Sequence, residues 1–166
     1  MNKLFTLLMT FAMLTACLST TSISARAEEN AISQEEIVYE TSEYFADGSS
    51  VTIIVTEEST AVAQASVYSK TGSKHYIFFN KDKVEVWRFS VHGTFTVNPG
   101  ISSTCTEDSY SIVISDDTWK NEAVSTYHSG NQAIGDATFI KKVLFINVDT
   151  QNCNVVLSCD SNGNLS

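Results

Sequence analysis

Trp87-Arg88-Phe89-Ser90-Val91-His92-Gly93-Thr94-Phe95-Thr96-Val97 alternates apolar and polar residues without a break. Trp87, Phe89, Val91, Phe95 and Val97, with Gly93 among them, share one parity, and Arg88, Ser90, His92, Thr94 and Thr96 share the other. Strand side chains point to opposite faces with a period of two, so the segment is predicted to be an antiparallel strand with one face in a core and the other towards water.

Asn98-Pro99-Gly100 ends this strand at a position where the fixed φ of proline helps a turn and its missing N–H disturbs no ladder. Lys74 to Phe79 precedes it across the polar turn Asn80 to Lys83, which predicts a hairpin. Ile37 to Phe45 and Val51 to Thr56 flank Asp47-Gly48, a dipeptide suited to positive φ, and form a second predicted hairpin. Glu57 to Ser69 keeps neither period and reads as a connection with a short strand at its end. Downstream, Ser109 to Ile114, Ala123 to Tyr127, Ala133 to Ile140, Val143 to Val148 and Asn154 to Cys159 are candidate strands. Ser33 and Glu36 make a capping pattern, but the β-branched residues after them lose helical spacing. The fold class expected is all-β, an antiparallel β-sandwich of immunoglobulin-like type.

Before this domain, Met1 to Ala27 has the three parts of a secretory signal: Lys3, an apolar run from Leu4 to Leu18, and Ala25-Arg26-Ala27 ahead of Glu28. The run is short for a hydrocarbon layer of about 30 Å, so cleavage between Ala27 and Glu28 is expected rather than anchoring. Leu14-Thr15-Ala16-Cys17 competes as a lipobox, in which Cys17 would carry lipid and the protein would be held on the cell surface. The organisation expected is a signal at 1–27, a flexible acidic segment at 28–36 and a single sandwich domain over 37–166.

The chain has 10 basic and 19 acidic residues; removing Lys3 and Arg26 leaves 8 − 19 = −11. That balance argues against nucleic acid and against an anionic membrane surface, since both need a basic patch that displaces counterions, and no membrane insertion is expected after cleavage.

Export permits disulfides among Cys105, Cys153 and Cys159. Cys153 and Cys159, six apart on a strand-like segment, would stand about 20 Å apart on one face, too far for a bridge. Cys105 then pairs with one of them, and the alternation Val155, Leu157, Cys159 favours Cys105 with Cys159. Cys153 is left as a buried or capped spare thiol.

His75, His92 and His128 form no metal-binding spacing, and Glu57-Glu58, Glu107-Asp108 and Asp116-Asp117 sit in turns without a calcium-loop pattern. Nucleophile elbow, phosphate loop and dinucleotide fingerprint are all missing from the sequence. No catalytic residue, metal or cofactor is assigned, and the protein is not expected to be an enzyme. Among the aromatic residues, Trp119 follows the turn-like Asp116-Asp117-Thr118 and is the candidate exposed binding aromatic.

From about Lys70 onward the chain resembles a group of small secreted proteins of Gram-positive bacteria to which no activity is assigned. The matching pieces are Lys70-Thr71-Gly72-Ser73-Lys74, Trp87, Gly93-Thr94-Phe95-Thr96, Ser103-Thr104-Cys105, Trp119-Lys120, Gly130-Asn131, Leu157-Ser158-Cys159-Asp160 and Asn162-Gly163-Asn164-Leu165-Ser166. The resemblance implies export, a β-rich domain and a Cys105–Cys159 disulfide; Cys153 departs from the pattern. The resemblance supplies no ligand or activity; by analogy with disulfide-stapled sandwiches, whose exposed loops commonly serve recognition, the function expected is that of a secreted, non-catalytic binding module for an extracellular protein or a cell-wall glycan. A small effector or toxin-like protein, a surface lipoprotein and an enzyme with an unrecognised site are the alternatives.

Overall fold

The computed structural model describes residues 35–58 and 66–166. The leader, Cys17, the Ala27–Glu28 junction and most of the acidic segment lie outside the described residues. Among the described residues eight antiparallel strands follow one another: β1 (Glu35–Tyr44), β2 (Ser50–Glu58), β3 (Tyr68–Phe79), β4 (Glu85–Asn98), β5 (Ser102–Ile114), β6 (Trp119–Ser129), β7 (Gln132–Val143) and β8 (Ile146–Ser158). β1 to β5 make one sheet and β6 to β8 a second, and in both the spatial order is the chain order.

The alternation read in Trp87–Val97 is what joins the sheets. Trp87, Phe89, Val91, Phe95 and Val97 are buried on the inner face of β4, and Ala133, Ala137 and Phe139 of β7 and Val155 and Leu157 of β8 answer them. Trp87 and Phe139 stack with centroids 4.0 Å apart, and Phe78 stacks on the same indole at 5.3 Å. Gly135 of β7 sits where β4 comes closest: a Cβ there would collide with Val91 Cγ2 and lie 2.8 Å from Phe89 Cζ. The C-terminal residues fold back on β8, with Ser158 and Ser166 exchanging backbone hydrogen bonds at 2.9 and 3.0 Å and Leu165 buried.

The all-β class and the two-sheet, sandwich-like build agree with the sequence, but the connections differ. Consecutive strands pair as hairpins within each sheet, without the Greek-key return that defines immunoglobulin topology. The strands also run longer than expected. β1 takes in Glu35 and Glu36 from the segment read as flexible, β3 starts at Tyr68, and β5 starts at Ser102. Polar residues in these extensions are carried by pairing to neighbours and need no alternation of their own.

The largest departure is at Val143–Val148. The chain reverses there through Leu144 (φ 49°) and Phe145 (φ 71°), so the segment is two arms of a hairpin rather than one strand. Two positive φ values mark a type I′ turn, which ordinarily carries Asn-Gly; neither Leu nor Phe signals it.

Candidate functional site

The outer face of the three-stranded sheet is a grid read directly from its register. Ser125, Asp136 and Asn154 form one row, Ala123, Thr138 and Asn152 the next, and Tyr127, Ile134 and Val156 a third. An open groove of about 560 Å³ lies over the first two rows. Its polar groups hold one another: Asn154 Nδ2 donates to Asp136 Oδ1 at 2.8 Å, and Thr138 Oγ1 donates to Asn152 Oδ1 at 2.8 Å. Small Ala123 and Ser125 keep the groove shallow, and half-exposed Tyr127 offers a ring beside it. Fixed amides, a carboxylate and a hydroxyl next to an exposed ring can hydrogen-bond sugar hydroxyls and stack on a sugar face.

The five-stranded sheet carries two histidines on its outer face. His75 Nδ1 lies 2.8 Å from Ser90 Oγ and its Nε2 3.3 Å from Thr56 Oγ1. His92 Nδ1 lies 2.7 Å from Ser73 Oγ and its Nε2 3.1 Å from Ser111 Oγ. Each imidazole is thus held between two hydroxyls, which donate or accept as required. Thr56, Ser73 and Ser90 are buried, so this face is less hydrated than the alternation suggested. Burial, with smaller like-charge contributions from His92 and Arg88, holds His75 below its ordinary value against the pull of Glu35. The third histidine, His128, touches Asp108 at 2.6 Å, and that hydrogen bond keeps the Asp108 carboxyl below the usual range.

Among the described residues Cys105, Cys153 and Cys159 are buried free thiols, so the expected Cys105–Cys159 bond is not formed in this structure. The two residues are nonetheless neighbours. Cys105 N donates to Gly130 O at 2.8 Å and Cys159 N to the next carbonyl, Asn131 O, at 3.1 Å. Burial raises the pKa of Cys105, and the nearby Cys159 raises it further. Cys153 faces the core beneath Ala137, and burial pushes its thiol up to about 12.

Trp119 is not an exposed aromatic: it is 4% exposed and packs against Phe78 and Trp87. The turn before it forms as its residues suggest, with Asp116 Oδ1 accepting from Thr118 N and Thr118 Oγ1 at 2.9 and 2.7 Å. β6 then starts at Trp119 itself, and the side chain turns inward as the strand's first core residue. On the outer face of that sheet the exposed aromatic is Tyr127, away from the hairpin turn at Phe145.

Glu57-Glu58 ends β2 and Glu107-Asp108 lies within β5 rather than in turns, and the paired carboxylates do not converge. Glu57 bonds Lys70 at 2.6 Å, Asp108 bonds His128, and Asp116 caps its own turn. Among the described residues, no group of three or more His, Cys, Asp or Glu side chains is arranged to hold a metal ion. A further cleft of about 540 Å³ lies beside the β1 edge, where Val38, Tyr39, Val156 and Leu165 surround the half-buried Lys74.

No family model, curated protein or solved structure matches the chain.

Proposed function

We propose that this chain is an exported, non-catalytic binding module whose recognition surface is the polar groove on the outer face of β6–β8, and that its ligand is a glycan of the cell envelope. The groove carries this reading: Asp136, Asn154, Thr138 and Asn152 are locked in pairs at 2.8 Å, so little ordering cost falls on binding. The Met1–Ala27 signal would deliver the domain outside the cytosol, released at Glu28 or held by a lipid on Cys17. In that oxidising setting Cys105 and Cys159 would close into a disulfide joining β5 to the end of β8.

The test is retention of the protein on purified cell-wall polysaccharide, alongside Asp136→Ala and Asn152→Ala. Each truncation should weaken binding roughly 10-fold, the loss of a hydrogen bond to a charged or rigid polar group, with the melting temperature nearly unchanged. Equal retention of the variants and the parent would remove the groove as the site. The His128–Asp108 contact supports a second reading, an enzyme using His128 as a base, and His128→Ala separates the two by leaving glycan retention untouched.

A further inference from the structure

The β7–β8 hairpin leaves the body of the domain: every residue from Lys142 to Thr150 is exposed. Its tip is the uninterrupted apolar run Val143-Leu144-Phe145-Ile146, with Leu144 85% and Phe145 99% exposed. Two observations set this apart from incidental surface hydrophobicity, which is normally scattered singly. The turn residues are held at φ 49° and 71°, a conformation costly for large side chains and readily supplied by Asn-Gly. The run also has cations at its base. Lys141 faces Asp149 across the ladder, whereas Lys142 faces Asn147 and has no carboxylate opposite it.

We propose that this hairpin is a membrane-docking finger, which seats its apolar tip among the acyl chains of a lipid bilayer while Lys142 stays at the headgroup phosphates. The dimensions fit. From Lys142 to the turn is two residues, about 7 Å at strand rise, and interfacial segments bury their apolar side about 5–10 Å deep. Long lysine stems let the ammonium reach back to the phosphates while their methylenes follow the apolar surface.

The turns at the same end supply secondary anchors. Tyr44, Phe45 and Val84 are exposed there, and Lys83 Nζ stands 4.6 Å over the Tyr44 ring, a pairing suited to the boundary between water and lipid. Asp47, Asp82, Asp116 and Asp149 line the cavity between these turns, so the end as a whole is not basic. Seating therefore depends on apolar insertion more than on lipid charge. A negative net charge excludes a broad electrostatic footprint and leaves room for a local finger. The inference is independent of the glycan groove, which lies on a sheet face rather than at this end.

The test uses residues 28–166 with mixed phosphatidylcholine and phosphatidylglycerol vesicles. In Phe145→Trp, the added indole fluorescence should shift to the blue on vesicle addition and be quenched by spin labels on the acyl chains. The double variant Leu144→Asn, Phe145→Gly installs the favoured turn residues, so it should melt at or above the parent's temperature. It should nevertheless partition at least about 100-fold more weakly, having lost two large apolar side chains. Both proteins are compared after removal of Met1–Ala27, so that the apolar Leu4–Leu18 stretch takes no part in partitioning. An added indole that stays water-exposed with vesicles present overturns the proposal, as does equal partitioning of the double variant. Self-association of the parent without lipid, abolished in the double variant, would also overturn it by assigning the tip to a second copy.

Discussion

Gly135→Ala probes how closely the two sheets meet. The added methyl carbon would collide with Val91 Cγ2 and stand 2.8 Å from Phe89 Cζ, well inside van der Waals contact. Neither neighbour has free space, since Phe89 and Val91 are both completely buried and belong to the strand that anchors the core. Overpacking a close-packed interior typically costs about 1–3 kcal/mol, and two immobile neighbours place this substitution near the upper end, at about 3 kcal/mol. For a domain of this size that lowers the melting temperature by roughly 10 °C. Thermal and urea denaturation followed by far-ultraviolet circular dichroism would measure it, with the urea slope unchanged if only the native state is affected. Val91→Ala in the same chain should recover part of the loss, giving a coupling of about 1 kcal/mol or more in a double-mutant cycle. A Gly135→Ala protein within about 0.5 kcal/mol of the parent would refute the close approach of β4 and β7.

Three further outcomes follow from other parts of the molecule. Mild oxidation should join Cys105 to Cys159 and leave Cys153 as a thiol; the loop spans 159 − 105 = 54 residues, worth about 4 kcal/mol in the chain-entropy model, and thiol titration with non-reducing peptide mapping would detect any other pairing. Stability should fall as pH drops from 7 towards 5. His75 is held below its ordinary 6.5, so the unfolded chain binds the proton first, the full contribution exists only above that value, and His75→Gln should flatten the slope. The carboxylates with lowered values, Asp47, Asp108, Asp116 and Asp160, act in a separate window below 3.8, where stability is lost as they protonate. Both tryptophans should fluoresce as buried indoles resistant to acrylamide; ready quenching of either would contradict their seats against Phe78 and Phe139.

The core strand is legible in the sequence because β4 packs on one side with a strict period of two, which marks each of its inward residues without knowledge of a partner. The Asp47-Gly48 and Asn98-Pro99-Gly100 reversals are legible because their residues favour turn geometry. Leu144-Phe145 carries no such chemistry, so the hairpin there is hidden inside what reads as one apolar strand. Trp119 is misplaced for a related reason: the turn at Asp116–Thr118 is plain in its residues, but the first residue of the next strand reads as part of it. The groove is not legible. Ser125, Asp136, Thr138, Asn152 and Asn154 look like ordinary solvated strand positions, and only the register of β6, β7 and β8 brings them into one surface.

Hairpin-only connectivity also bears on how the molecule assembles. Each strand finds its partner next door in the chain, so loop closure within either sheet is short and its entropic toll small. The long-range steps are the docking of one finished sheet on the other and the seating of Leu165 over Gly72, across 165 − 72 = 93 residues. A Cβ on Gly72 would stand 2.6 Å from Thr56 O and collide with Leu165 Cδ1. Contacts within each sheet are closer in sequence than those between the sheets, so bringing the two sheets together carries the larger loop-closure cost. Substitutions at the sheet interface should govern the folding rate, while changes in the peripheral hairpins should act mainly on unfolding.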